Sequence, residues 1–261
     1  MRTLSFLLLF AVLLASCGQN APATPETAPE AMAMKYTLTP FAPSQEYPDA
    51  AITTMTYKNG QFDFGVGGSS YKLGEQTPDA PQKMCANSGQ GQHIHLIVDN
   101  QPYIAKYEAS FRQKVADGEH YLLAFLSRSY HESLKTPTAF TAQKVMVKDS
   151  TITTTEAVTQ PMLFYSRPKG DYKGKAETDK VMLDFYLVNA ALGADYKVKA
   201  DINGEEHVLD TWQPYYVEGL PMGENTITLT LVDANGQAVN TPLNPVTRKF
   251  NLVADPAEAT N

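Results

Sequence analysis

Residues 92–100 read Gln-His-Ile-His-Leu-Ile-Val-Asp-Asn and hold two of the chain's five histidines. Two histidines at i and i+2 on an extended segment share one face and can converge on a single ion. His131 further on, and the neighbours Met84 and Cys85 just before, add further soft donors. Imidazole with thiolate or thioether suits copper or zinc. The candidate metal ligands are therefore His93, His95, His131, Met84 and Cys85. Their spacing matches no closed zinc motif. The competing reading is a set of solvated histidines bonded to loop backbone, with Cys85 a small apolar side chain.

The chain carries an internal comparison for this strand, because its halves repeat with an offset of about 105 residues. Val98-Asp99-Asn100 answers Ile202-Asn203-Gly204, and Gly118-Glu119 answers Gly223-Glu224. Thr136-Pro137 answers Thr241-Pro242, and Asp63-Phe64 answers Asp184-Phe185. In this alignment His93 and His95 stand where the second half has Lys197 and Lys199. Ile94, Leu96 and Val98 match Val198, Ala200 and Ile202, so the apolar set faces the core and the histidines face outward, towards solvent. Ile97 shares the histidine face, which implies some cover there. A Pro/Gly/Asn-rich loop at 75–91, carrying Met84 and Cys85, has no counterpart in the second half. Long loops in compact domains are more often functional than idle.

Short alternating strands punctuated by turn residues fill both halves, and no stretch keeps a helical period over three turns. The expected fold is all-β, as two tandem immunoglobulin-like antiparallel β-sandwiches at 36–150 and 160–254. A connector occupies 151–159 and a tail 255–261. In such a sandwich the histidine strand runs antiparallel to 121–127. That brings His131 near His93 and sets His120 beside Asp99.

Residues 1–16 read as an export signal: Arg2, an apolar run too short to span a membrane, then Leu14-Ala15-Ser16 before Cys17. That ending has the form of a bacterial lipobox, making Cys17 the lipidation site. Residues 17–35, rich in Ala, Pro, Thr and Glu, form a disordered tether. The expected address is the cell envelope, lipid-anchored, at the outer membrane. With Cys17 consumed by lipid, Cys85 is left unpaired.

The runs Phe62-Asp63-Phe64-Gly65-Val66-Gly67-Gly68, Asn87-Ser88-Gly89, His93 to Asp99 and Gly118-Glu119-His120 resemble a known family. These are bacterial periplasmic domains of unknown function built on a Gly-His-His-His-Leu-Leu-Ile-Asp strand. Some related lipoproteins carry the label phosphopeptide-binding. The resemblance covers roughly residues 60–147 and implies a compartment and a fold. Gln92 and Ile94 replace histidines of the family strand, and its His-Pro loop is reduced to His131.

A net charge of −7 without a basic run argues against nucleic acid, whose affinity comes mainly from phosphate neutralisation. The chain has no Gly-x-Ser-x-Gly, P-loop, GxGxxG or HExxH, and an enzyme is not expected. Trp212, Tyr215 and Tyr216 form an aromatic cluster that suits binding of a glycan, peptide or protein partner. The expectation is thus a membrane-tethered binding or structural module, with copper or zinc at the histidines as the alternative.

Overall fold

The computed structural model describes residues 35–255. The signal 1–16, the lipidation site Cys17, the tether except Lys35 and the tail beyond Asp255 lie outside the described residues. Strand β1 (Thr37–Pro40) comes first. Next are β2 (Ala51–Lys58), β3 (Gln61–Gly67), β4 (His93–Val98), β5 (Ile104–Lys106), β6 (Ser110–Arg112), β7 (Gly118–Ser127), β8 (Phe140–Lys148) and β9 (Thr151–Ala157). The second half supplies β10 (Met162–Arg167), β11 (Gly170–Lys173), β12 (Val181–Val188), β13 (Tyr196–Ile202), β14 (Glu205–Leu209), β15 (Tyr215–Glu218), β16 (Gly223–Asp233) and β17 (Val246–Val253). The one α-helix among the described residues, α1 (Lys175–Thr178), is a single turn, and none is long and apolar enough to cross a membrane.

These strands build two sandwiches. In the first, the sheet β2-β3-β6 faces β5-β4-β7-β8-β9; in the second, β1-β15-β12-β10 faces β11-β17-β16-β13-β14. The order β2-β3-β6 recurs as β10-β12-β15, and β5-β4-β7-β8 recurs as β14-β13-β16-β17. The repeated turns have a common cause. Asp99 and Asn100 both take positive φ, at 48° and 58°, as do Asn203 and Gly204 at 49° and 91°. Two consecutive left-handed residues match the twist of flanking strands, and Asn, Asp and Gly pay least for that conformation. The inward sets also correspond: Ile94, Leu96, Leu122, Ala124 and Leu126 in one core, Val198, Ala200, Ile227, Leu229 and Leu231 in the other.

Alternation holds on β13, β16 and β17 but fails on β10 and β12, whose residues are all buried, and nearly so on β4. The outer face of β4 and β7 packs on the outer face of β10 and β12. Ile97, Tyr103, Leu123 and Phe125 meet Met162, Phe164, Tyr186 and Val188 in a third apolar layer. Each large side chain so buried is worth about 1.5–3 kcal/mol. Polar pins fix the register of this layer. Asn100 donates Nδ2–H to Leu163 O at 2.8 Å and accepts the Tyr165 N–H at 2.8 Å, satisfying the edge of β10 that no strand pairs. Asp184, 0% exposed, accepts from Lys135 Nζ at 2.8 Å and from the Ser133 amide at 3.0 Å.

The expected boundaries shift at two places. Strand β1, placed by sequence in the first domain, pairs antiparallel with β15 of the second. Most of the expected connector 151–159 is β9, which pairs with β8 and extends the first sandwich. Its Thr-rich composition favours an extended edge strand.

Phe164→Ala opens a hole between the sandwiches rather than inside either one. It is expected to cost about 3–5 kcal/mol in urea unfolding. The unaltered chain should unfold in one transition, read alike by circular dichroism and by Trp212 fluorescence; two separated steps would contradict the shared layer.

Candidate metal centre

Strand β4 sends His93 and His95 to the face that Ile97 shares. The parity read from sequence is right, but the expected solvent exposure is wrong, since both imidazoles are 0% exposed. What covers them is the second sandwich. Lys197 and Lys199, at the matching positions of β13, stay partly exposed, and Lys199 pairs with Glu206 at 2.8 Å. Strand β7 runs antiparallel to β4 with Ser127 opposite His93, and Ser127 bridges back to Ser133. The tip between those serines carries His131, with φ at 69°. A left-handed non-glycine residue is uncommon, and histidine tolerates it better than most. This turn brings the His131 ring onto the end of β4.

His93 Nε2 lies 2.8 Å from His95 Nε2 and 2.9 Å from His131 Nδ1. One nitrogen from each ring falls within 4.8 Å of the others. The far nitrogen of His93, Nδ1, is 2.8 Å from Gly91 O. A carbonyl only accepts, so Nδ1 carries the hydrogen and Nε2 presents its lone pair to the other two rings. Gly91 is held for this role by the base of the 75–91 loop, where Gln92 N–H donates to Glu75 O and Gly74 N–H to Gln92 O. Its φ is 84°, and a Cβ there would lie 2.6 Å from the Gly74 and Glu75 carbonyl oxygens, so no side chain fits.

Aromatic rings wall the centre. Tyr103 stacks on His95 at 3.6 Å and 8°, and its hydroxyl lies 3.3 Å from His131 Nδ1. Tyr107 packs 4.9 Å from His93 and bonds Ser88 of the loop at 2.7 Å. Phe125 closes the floor, 5.0 Å from His95. A bulge between Tyr165 and Arg167 on β10 re-aims that strand, placing Ser166 Oγ 3.5 Å from His95 Nδ1. Arg167, 5% exposed, donates Nε–H and Nη2–H to the Tyr172 hydroxyl. Lys169 donates to Tyr103 O at 2.8 Å and sits 3.9 Å over its ring.

Burial is the main reason these imidazoles resist protonation. It lowers His93 to about 4, opposed by the hydrogen bond to Gly91 O and helped by the positive charges of Arg167 and Lys169. His95 and His131 are also held well below the ordinary value, by burial first and then by neighbouring imidazoles and the same two cations. Lys169 is itself lowered to about 8, by burial and then by Arg167 and Arg248.

Of the five residues expected as ligands, only the three histidines come together. Met84 is 52% exposed, and its amide bonds the Tyr216 hydroxyl. Cys85 packs against the cluster of Phe41, Tyr130, Met182 and Tyr216, and burial pushes its free thiol up to about 12. The aromatic cluster is not an open platform either. Tyr215 and Tyr216, neighbours on β15, point to opposite faces and are 6% and 8% exposed. Trp212 donates Nε1–H to Phe185 O at 3.0 Å and packs edge-on against Tyr186. His120 does stand beside Asp99, at 2.5 Å. The sequence reading missed Tyr103, Ser166, Arg167 and Lys169. The signal available for the covering strand was the apolar run Met162–Tyr165 that opens β10, which marks a strand covered on both faces.

No protein-family model matches the chain, and no curated protein does. Solved structures show likenesses of low identity. Fibronectin(III)-like modules of Clostridium thermocellum CbhA are 14% identical, covering 36% of this chain and 98% of theirs, with a TM-score of 0.28. The central fibronectin-III array of RIM-binding protein is 10% identical, with 82% and 72% covered and a TM-score of 0.26. A Ca2+-stabilized adhesin with which an Antarctic bacterium binds ice is 13% identical, with 79% and 50% covered and a TM-score of 0.25.

The unfolded chain takes protons on these imidazoles below about pH 6.5, whereas folded His93 declines them until about 4. The unfolded state therefore binds more protons in that window, and stability falls as pH drops through it. Urea unfolding at pH 7, 6 and 5 should show the fall. His93→Gln should remove up to about 1.4 kcal/mol per pH unit of that slope; an unchanged slope would mean the ring titrates freely.

Proposed function

We propose that the chain is a non-catalytic binding module that holds one transition-metal ion, copper before zinc, on His93, His95 and His131. One observation carries the reading: a His93 Nε2 lone pair with its tautomer fixed by Gly91 O, facing a nitrogen of each other ring within 2.9 Å. Without an ion, two ring nitrogens compete for that single lone pair. An ion would be held through the facing nitrogens of His93, His95 and His131, each unprotonated. His95 Nδ1–H would then face Ser166 Oγ, the kind of outer hydrogen bond that orients a ligating imidazole.

Neutral imidazoles alone suit copper, zinc or nickel. First place in the affinity order of divalent first-row metals puts copper(II) ahead of zinc. Glu132, the carboxylate next to His131, turns instead to Ser44 and Arg128, which suits holding an ion rather than proton transfer at it. The lipid on Cys17 would tether the module at the bacterial outer membrane. The rival reading, adhesion through Trp212, Tyr215 and Tyr216, is weakened by the packing of all three side chains.

Calorimetric titration of the purified chain with copper(II) should reach about one equivalent. The His93→Ala/His95→Ala pair should lose at least about a hundredfold in affinity, since each neutral ligand lost removes a coordinate bond. Equal uptake by the double variant would dispose of the site.

A further inference from the structure

We infer that the second sandwich binds a basic, extended peptide segment along the outer edge of β14, in a groove that opens between β14 and β1. The site is separate from the histidines and needs no metal. Strands β1 and β14 each end their sheet, so neither has a strand on its outer side. The groove between them measures about 610 Å³. Tyr36, Leu38, Leu209 and Tyr215 give it an apolar floor; Glu206 and Asp210 line it, and no lysine or arginine does. Strand β1 ends on Pro40, which has no N–H to offer a neighbour. Strand β14 has no proline, and its register with β13 is unbroken, so it is the edge that can template another strand.

The turn Asn203-Gly204 closes on the pair Ile202 and Glu205. Such a closing pair exchanges both hydrogen bonds, and bonded and non-bonded pairs alternate from there. Glu205, His207 and Leu209 thus direct their backbone groups at β13, whereas Glu206 and Val208 turn theirs outward. Glu206, Val208 and Asp210 also share one side-chain face, with Val208 62% exposed between the two acids. Glu206 is paired with Lys199 at 2.8 Å. Asp210 is in no ion pair among the described residues and accepts only from the Thr211 hydroxyl, at 3.1 Å. A strand with basic residues four apart, flanking an aliphatic one, sets opposite charges and apolar surface across from this row. The chain's own remaining segments do not match it. Residues 18–34 carry Glu26, Glu30 and three prolines without a lysine or arginine, and 256–261 carry Glu258 without a cation. A second copy of β14 would set like charges opposite each other, so the acids that bar self-pairing select a basic strand. The net charge of −7 favours such a partner at longer range as well.

The test is an NMR titration of the full nitrogen-15-labelled chain, at low salt, with the capped peptide Ser-Lys-Val-Val-Thr-Lys-Ser. Its lysines and second valine share one face. Saturable shifts should centre on the amides of β14 and β1. Replacing both lysines of the peptide by glutamate should weaken binding at least about tenfold, and the Glu206→Lys/Asp210→Lys variant should reverse that preference. Methylating the amide nitrogen of the second valine should also cost about tenfold, because it removes a backbone bond to the edge without touching the protein. Absence of saturable shifts, or shifts centred elsewhere, overturns the site. Equal binding of the glutamate peptide overturns the basic partner, and indifference to the methyl group overturns strand addition. Shifts of β14 amides that grow with chain concentration in the absence of peptide overturn the proposal in favour of a second copy.

Discussion

The apolar layer between the two sandwiches governs everything else in this molecule. Ile97, Leu123 and Phe125 meet Phe164, Tyr186 and Val188 where the outer face of a sandwich would ordinarily meet water. That contact removes solvent from His93 and His95, and desolvation is the largest influence on both rings. A neutral imidazole is the form that can ligate a metal, so the packing prepares the chemistry. The same dryness makes the unpaired Arg167 donor expensive. One act of burial thus leaves neutral imidazoles on β4 and an unpartnered guanidinium donor on β10.

The two sandwiches show that the fold alone does not make the centre. Strands β4 and β13 occupy the same place in the same topology, each with its alternate side chains in the core. On β13 the outward positions hold Lys197 and Lys199, which reach water. On β4 they hold histidines under a neighbouring domain. Lysine at those β4 positions would bring two more cations to Arg167 and Lys169 with nothing to balance them. Histidine can be buried in its neutral form, which these positions beside two cations require.

Much of this was legible in the sequence. The repeat, the two-sandwich fold, the shared face of His93 and His95 and the approach of His131 all follow from period-two alternation and from turn residues with positive φ. What failed was the assumption that a face turned away from its own core meets water. Alternation within one strand reports a sandwich's inside and outside, and says nothing of a second body against the outside. The evidence for that body lay in other strands: Val181 to Val188 is apolar on both faces except for Asp184, whereas the Thr226 to Leu231 alternation is clean. Arg167 and Lys169 carry no local mark, because the bulge at Ser166 that re-aims them has no residue signature of its own. Met84 and Cys85 were misplaced for a related reason. A loop's sequence fixes neither its path nor the cluster, here Phe41, Tyr130, Met182 and Tyr216, into which it tucks a side chain.

The origin of the donors bears on how an ion would couple the two halves. His93, His95 and His131 all belong to the first sandwich, on β4 and the turn after β7. An ion held by them stabilises that sandwich directly, by an amount set by its concentration relative to its dissociation constant. It does not by itself staple one domain to the other. Contact between the histidine rings and the second sandwich passes through β10, where Ser166 Oγ lies 3.5 Å from His95 Nδ1. Loading the centre would therefore reach the interface through that hydroxyl and the tautomer of His95, so an ion would stabilise the first sandwich more than it tightens the pair.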